Sequence, residues 1–269
     1  MNPLFIPTLL LAITIFIAIW KTTHRQSAPF VGVIGLLAAV PAVLFAVYYL
    51  KVLGEAKWFY TFRAWPFTEL SAAGVGVFAG WLQYQREQNS WLKRTFSVFF
   101  IPGLMILGVT APYAKQILMS ADLGAYSDTW SNGVCLQSSE SSCGPASAAT
   151  LLHAAGQSVT EKQIAKESFT TKRGTENWYL LRTIQRHGAD AHFLVTSAGI
   201  ENIHYPAIAG VLLKSVKAGH FIAILGEHNG KLIIGDPLVG RQEIPRKMLS
   251  EIYAFTGFYI VIPSAMVAK

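Results

Sequence analysis

The sequence predicts a chain in two parts. An N-terminal α-helical transmembrane bundle of about four spans occupies residues 1–120, and a C-terminal α+β domain, with helices packed on an antiparallel sheet, occupies 121–269. Two contrasts lead there. Charge is scarce, 14% of residues against roughly 25% in soluble domains, and it is unevenly spread. Residues 1–120 carry nine Lys/Arg but only three acids (Glu55, Glu69, Glu87), whereas 121–269 carry thirteen and twelve. The second contrast is one of period. Long uncharged runs fill the first part, and short helical patterns followed by strand-like alternation fill the second.

Residues 3–20, 28–50 and 95–114 contain no charge. Each approaches the ~20 residues that cross ~30 Å of hydrocarbon. Pro41 can kink the second run. Residues 67–82 are weaker, with Glu69 near one end and Ala72, Ala73, Gly74, Gly76, Ala79 and Gly80 along it. Small residues suit a helix packed closely on its neighbours. Glu69 is a functional candidate because a carboxylate in lipid is costly, and an interfacial position fits it equally. The first run lacks a basic leader and is followed by more apolar runs, so it does not read as a signal peptide. Residues 51–66 mix Trp, Tyr, Phe, Lys and Arg as a membrane-interface belt does, a lid over a binding site being the alternative. Lys21 and Arg25 follow the first run and no basic residue precedes it, so positive-inside reasoning places the N-terminus outside. With four spans the C-terminal domain also lies outside, on the extracytoplasmic face of a bacterial plasma membrane. The net charge of +7 belongs to the apolar part, which makes lipid headgroups the expected partner. No nucleic-acid motif and no GxxxxGK nucleotide loop is present. Neither HExxH nor a zinc-type Cys/His spacing occurs, so no metal or cofactor is expected.

In the second part, 121–132 reads as a polar linker. A helix follows over 143–155, with Pro145 in its first turn and Gly156 ending it. Thr160 and Gln163 have the capping-box spacing for a helix over 160–168, and Thr175 and Gly188 bracket another over 175–187. Strands are predicted over 192–196, 207–213, 220–226, 231–235 and 255–262, with a turn at His228-Asn229-Gly230.

Only two cysteines occur, Cys135 and Cys143, too few for a disulfide scaffold. Cys143 stands at a predicted helix start. A helix N-terminus and a neighbouring imidazole both favour the thiolate, which is the reactive form. His220 opens a predicted strand and Asp236 ends the next one, so a thiol, an imidazole and an orienting carboxylate can converge. Gln137, six residues before the thiol, can donate its amide to a developing oxyanion beside the Cys143 backbone N–H. Cys135 reads as a structural thiol, and His153, His187, His192, His204 and His228 fall outside this spacing.

Gln137 with Cys143-Gly-Pro-Ala-Ser, Gly219-His-Phe-Ile-Ala-Ile-Leu and Gly235-Asp-Pro-Leu-Val-Gly resembles the C39 family of bacterial cysteine peptidases over about residues 130–263. These are papain-like domains that cut leader peptides after a double glycine. The resemblance implies a papain-like fold, with Cys143 as nucleophile, His220 as general base, Asp236 as orienting residue and Gln137 as oxyanion donor. Ser142 stands where the family often has an acid. The expected function is a membrane-anchored cysteine peptidase acting on a peptide or membrane-associated protein through an acyl-enzyme. A cysteine acyltransferase or amidohydrolase on a lipid-linked substrate, and a non-catalytic peptide-binding module, are the alternatives.

Overall fold

A computed structural model describes residues 2–27, 29–37, 40, 57–215 and 217–262. The chain divides into two compact units, Met1–Ala56 with Pro66–Leu118, and Lys57–Trp65 with Met119–Lys269.

In the first unit, α1 (Phe5–Thr23) is the one helix among the described residues long and apolar enough to cross a membrane. A helical stretch over 29–37 leads into residues that are not described, so most of the run over 28–50 lies outside them. The run over 67–82 is not a continuous span. Phe67, after Pro66, adopts a left-handed backbone (φ 64°), and a 3-10 segment, Thr68–Gly74, precedes α3 (Val75–Gln88). α2 (Lys57–Ala64) belongs to the second unit. The run over 95–114 starts late. After the short α4 (Ser90–Thr95), Phe96 is extended and the chain turns at Ser97, whose carbonyl accepts from the Phe100 N–H. α5 then runs Phe100–Leu118 and contains the apolar stretch Phe100–Ala111. Among the described residues the expectation of four spans thus reduces to one: the runs over 67–82 and 95–114 contain breaks that apolar composition does not register, and the run over 28–50 lies mostly outside them.

The small residues do pack closely. A Cβ at Gly76 would lie 2.4 Å from the Ala12 carbonyl oxygen, and one at Gly80 would lie 2.6 Å from that of Phe16, so α1 and α3 approach backbone to backbone. Glu69 is buried in this unit, where its Oε1 accepts from Asn2 Nδ2 at 3.2 Å.

The second unit is α+β. A small hairpin, β1 (Trp130–Ser131) with β2 (Val134–Cys135), precedes three helices: α6 (Cys143–Ala154), α7 (Glu161–Glu167) and α8 (Asn177–Arg186). Six antiparallel strands follow in the spatial order β3-β8-β4-β5-β6-β7. They are β3 (His192–Val195), β4 (Ala207–Leu213), β5 (Ala218–His228), β6 (Lys231–Asp236), β7 (Gly240–Pro245) and β8 (Tyr253–Val261), with α9 (Arg246–Ile252) before the last. Period-two alternation gives the sheet two buried faces. Ile208, Ala223 and Ile260 meet Ala149, Leu152, Ile164, Leu180 and Ile184 of the helices. Their neighbours Ala209, Ile222, Ile224 and Tyr259 form a second core with Ile234, Ile244 and Leu249.

Three local expectations change. Residues 121–132 are part of the fold rather than a linker: the Ser127 N–H donates to Ser138 Oγ, and the Asp128 carboxylate accepts from the Glu161 N–H at the start of α7. α8 starts at Asn177 with Glu176 in the cap position, because the Thr175 hydroxyl is engaged by Thr170 at 2.7 Å. β7 and α9 were not predicted. The Thr160 cap is present, accepting from the Gln163 N–H at 3.0 Å.

α2 supplies an aromatic edge to this unit. Tyr60 packs on Phe193 and Phe258, with centroids 5.8 and 5.4 Å apart, and the Arg63 guanidinium lies over Trp178 at 5.0 Å. Arg182 of α8 donates to the carbonyls of Arg63, Ala64 and Trp65 and so closes the C-terminal end of α2, where helix carbonyls lack intrahelical partners. Residues 57–64 are thus not free for an interfacial belt along their whole circumference, since one face is spent on the α+β unit.

Candidate active site

Cys143 is the first residue of α6 and is half-buried. Its helix is wedged against the strand that carries His220. Ser147 Oγ, one turn along α6, donates to the Phe221 carbonyl at 3.0 Å. At Gly144 an added Cβ would stand 3.4 Å from Leu180 and 3.6 Å from Phe221. His220 sits on β5 opposite Val211 and is only 6% exposed. Gly235 of β6 pairs with Ala223, which brings Asp236, one residue on, beside Ile222, two residues along β5 from His220. A Cβ at Gly235 would meet Thr150 and Val134 at 3.1 Å, so β6 lies tight under α6 and β2.

The His220 Nε2–H donates to Asp236 Oδ1 at 2.9 Å, and both side chains are buried. Asp236 also accepts the Leu238 N–H at 2.8 Å on Oδ1 and the Tyr253 hydroxyl at 2.5 Å on Oδ2. Burial pushes the Asp236 carboxyl up, but the hydrogen bonds from His220, Tyr253 and Leu238 outweigh it and hold the group below its usual range. Burial pulls the His220 imidazole down, yet its hydrogen bonds with Asp236 and Cys143, and the charges of both, raise it to about 9. With Nε2 committed to Asp236, Nδ1 is the ring nitrogen left to the Cys143 thiol.

Gln137 lies in the loop before α6, and two anchors fix that loop. The Gln137 N–H donates to the Pro237 carbonyl at 2.9 Å, in the turn that follows Asp236. Ser138 donates through its N–H (3.0 Å) and its hydroxyl (2.5 Å) to the buried Glu161 carboxylate. The Gln137 side chain turns onto its own loop: Nε2 donates to the Ser139 carbonyl at 2.8 Å, and Oε1 is buried without a hydrogen-bond partner. One of the two amide hydrogens is therefore already used.

The structure thus brings Cys143, His220 and Asp236 to one place and ties the Gln137 loop to the Asp236 turn. Cys135 stands apart, fully buried under Thr150, whose hydroxyl accepts from its N–H, and burial pushes its thiol up to about 12. Sequence reasoning missed Tyr253 and Glu161. Tyr253 carries a hydroxyl into a largely apolar strand, a sign that it finds a buried partner. Glu161 occupies the first position after a capping threonine, where an acid reads as a helix-dipole residue. At neutral pH, iodoacetamide is expected to alkylate Cys143 and leave Cys135 untouched until the chain is unfolded. Peptide mapping by mass spectrometry checks this, and equal labelling of the two thiols in folded protein contradicts it.

Helices laid against an antiparallel sheet, with a thiol at a helix start facing an imidazole–carboxylate pair, define a thiol-hydrolase type of domain. Residues 131–265 match the model of the Peptidase C39 family, and the chain belongs to that family. It carries a cysteine peptidase domain by that membership. An uncharacterized protein of Methanothermobacter marburgensis is 30% identical over 126 residues, 47% of this chain and 84% of the relative. One of Methanothermobacter thermautotrophicus is 28% identical over 129 residues, 48% of this chain and 87% of the relative. Among solved structures, the chain is similar to a double glycine motif protease from an AMS/PCAT transporter in complex with its leader peptide (22% identity, TM-score 0.41, 48% of this chain and 89% of that one). It is also similar to the peptidase domain of Streptococcus ComA (23% identity, TM-score 0.41, 47% and 94%).

Proposed function

We propose that this protein is a membrane-anchored cysteine peptidase that cleaves a peptide or membrane-associated protein by a Cys143–His220–Asp236 triad. The observation that carries the reading is the buried 2.9 Å bond from His220 to Asp236, on a histidine whose remaining ring partner is the Cys143 thiol. In the first step His220 takes the thiol proton, and the Cys143 sulfur bonds to the scissile carbonyl carbon. The imidazolium, held by Asp236, returns that proton to the amine as the C–N bond breaks, leaving a thioester on Cys143. His220 then takes a proton from water, whose oxygen attacks the thioester carbon. The carboxylic acid departs and the thiol is restored. The Cys143 backbone N–H, at the first turn of α6, and the second amide hydrogen of Gln137 serve the oxyanion.

Membrane anchoring rests on α1, with Lys21 in its last turn, and on the apolar stretch Phe100–Ala111. A substrate that is itself membrane-associated follows from a catalytic domain tethered near a bilayer. The test is mass spectrometry of membrane-associated peptides and proteins from cells with wild-type protein and with Cys143→Ala. Uncut precursor accumulating in the variant is the expected result. Identical profiles overturn the proposal, and loss of a lipid-linked product replaces hydrolysis with acyl transfer.

A further inference from the structure

Tyr253 opens β8, stands opposite Leu213 of β4 and is only 2% exposed. Its hydroxyl reaches the Asp236 carboxylate on the oxygen that nothing else among the described residues holds. Oδ1 accepts both His220 Nε2–H and Leu238 N–H, while Oδ2 accepts Tyr253 alone. Oδ1 is held by two donors and Oδ2 by the tyrosine, so the carboxylate is anchored through both oxygens. Without the second anchor it can pivot about the line from Cβ to Oδ1. We infer that Tyr253 is a positioning residue: its hydroxyl is the second anchor of the Asp236 carboxylate and keeps it ionised, so that the imidazole of His220 is held toward Cys143. The inference rests on the triad reading above.

Burial first, then the hydrogen bond to Asp236 and the charge of Asp236, push the Tyr253 phenol well up, so it remains a donor across the working pH range. The titratable groups that act on one another here come from four elements. Asp236 of β6 faces His220 of β5 and Tyr253 of β8, His220 faces Asp236 and the Cys143 thiol of α6, and Tyr253 faces Asp236.

Tyr253→Phe removes the donor and keeps the ring, which packs near Phe255 at a centroid distance of 6.3 Å. Oδ2 is then buried with no donor, so the carboxyl takes up its proton at higher pH. A neutral carboxyl gives the imidazolium no counter-charge, so the thiolate–imidazolium pair forms only at higher pH on the acid side. The experiment measures the rate of Cys143 alkylation by iodoacetamide against pH in the full chain, for wild type, Tyr253→Phe, Tyr253→Met and His220→Ala. Both tyrosine variants should show the acid limb displaced upward by about half to one pH unit, the shift that one lost hydrogen bond produces. Continued protection of Cys135 reports that the fold is intact, and Tyr253→Met fills the site without a ring should the first variant expose Cys135. A folded tyrosine variant whose acid limb is unchanged or displaced downward overturns the inference, because a tyrosine that served only packing would leave that limb in place. If His220→Ala also keeps the wild-type profile, the triad reading itself fails.

Discussion

His220→Ala is expected to lower peptide-bond cleavage about a thousandfold, the middle of the range that loss of a positioned general acid–base group produces. The reason lies in the proton path. Removing the imidazole takes away the group that accepts the thiol proton and later delivers it to the leaving amine, while α6 and the Gln137 loop keep their own anchors through Glu161 and Pro237. The same variant has a second readout. Folding raises the His220 pKa from its ordinary 6.5 to about 9, so the folded state binds this proton more tightly than the unfolded chain. Its contribution to stability is complete below pH 6.5 and disappears as pH climbs through about 9. Thermal unfolding of the wild type should therefore lose midpoint temperature across that interval, and His220→Ala should flatten the decline. Activity assays with a cleavable precursor and melting curves at several pH values test both halves. A variant that retains cleavage within a few-fold of wild type would remove His220 from the mechanism.

Asp236→Ala should be the most damaging single change to the fold of the α+β unit. It strands three donors at once: His220 Nε2, the Tyr253 hydroxyl and the Leu238 N–H. His220 is 6% exposed and Tyr253 2%, so water does not readily replace the lost acceptor. Breaking a buried charged pair from one side costs about 3–5 kcal/mol. In a unit of this size that lowers the melting temperature by roughly 10 °C. Asp236→Asn keeps the volume and one acceptor oxygen but no charge for the imidazolium. It should melt closer to wild type and still cleave poorly. Differential scanning calorimetry of the two variants separates packing from charge, and equal melting temperatures for Asp236→Ala and wild type would show that the carboxylate is not a structural keystone.

Much of the α+β unit was readable from local chemistry. Pro145 and Gly156 bracket α6, the Thr160–Gln163 cap opens α7, and β4 was bounded correctly because an uncharged apolar run fills it between Pro206 and Lys214. The spacing was legible for the same reason: Cys143 and Asp236 stand at element boundaries that punctuation marks, and His220 lies two residues into β5. What escaped depends on partners far along the chain. β7 is a polar edge strand, Gly-Arg-Gln-Glu-Ile-Pro, with no alternation to announce it. α9 is seven residues long and leaves Met248 and Ile252 exposed, too short for a helical period to register. Tyr253 fell outside the predicted strand, so its hydroxyl had no assigned direction. In the first unit, composition reported apolar content but not where the chain breaks, because the left-handed Phe67 and the turn at Ser97 interrupt runs that look continuous.

The docking of α2 on the α+β unit has a consequence for how such a chain can be dissected. The catalytic body is assembled from two separated stretches, with Lys57–Trp65 contributed from between helices of the other unit. A shortened chain starting at Met119 would uncover Trp178, Phe193 and Phe258 on the side that Tyr60 and Arg63 cover and would take away the three carbonyls of 63–65 that Arg182 holds. Transplanting this domain therefore means carrying that nine-residue graft along, as an insert stitched to the domain rather than as part of the other unit.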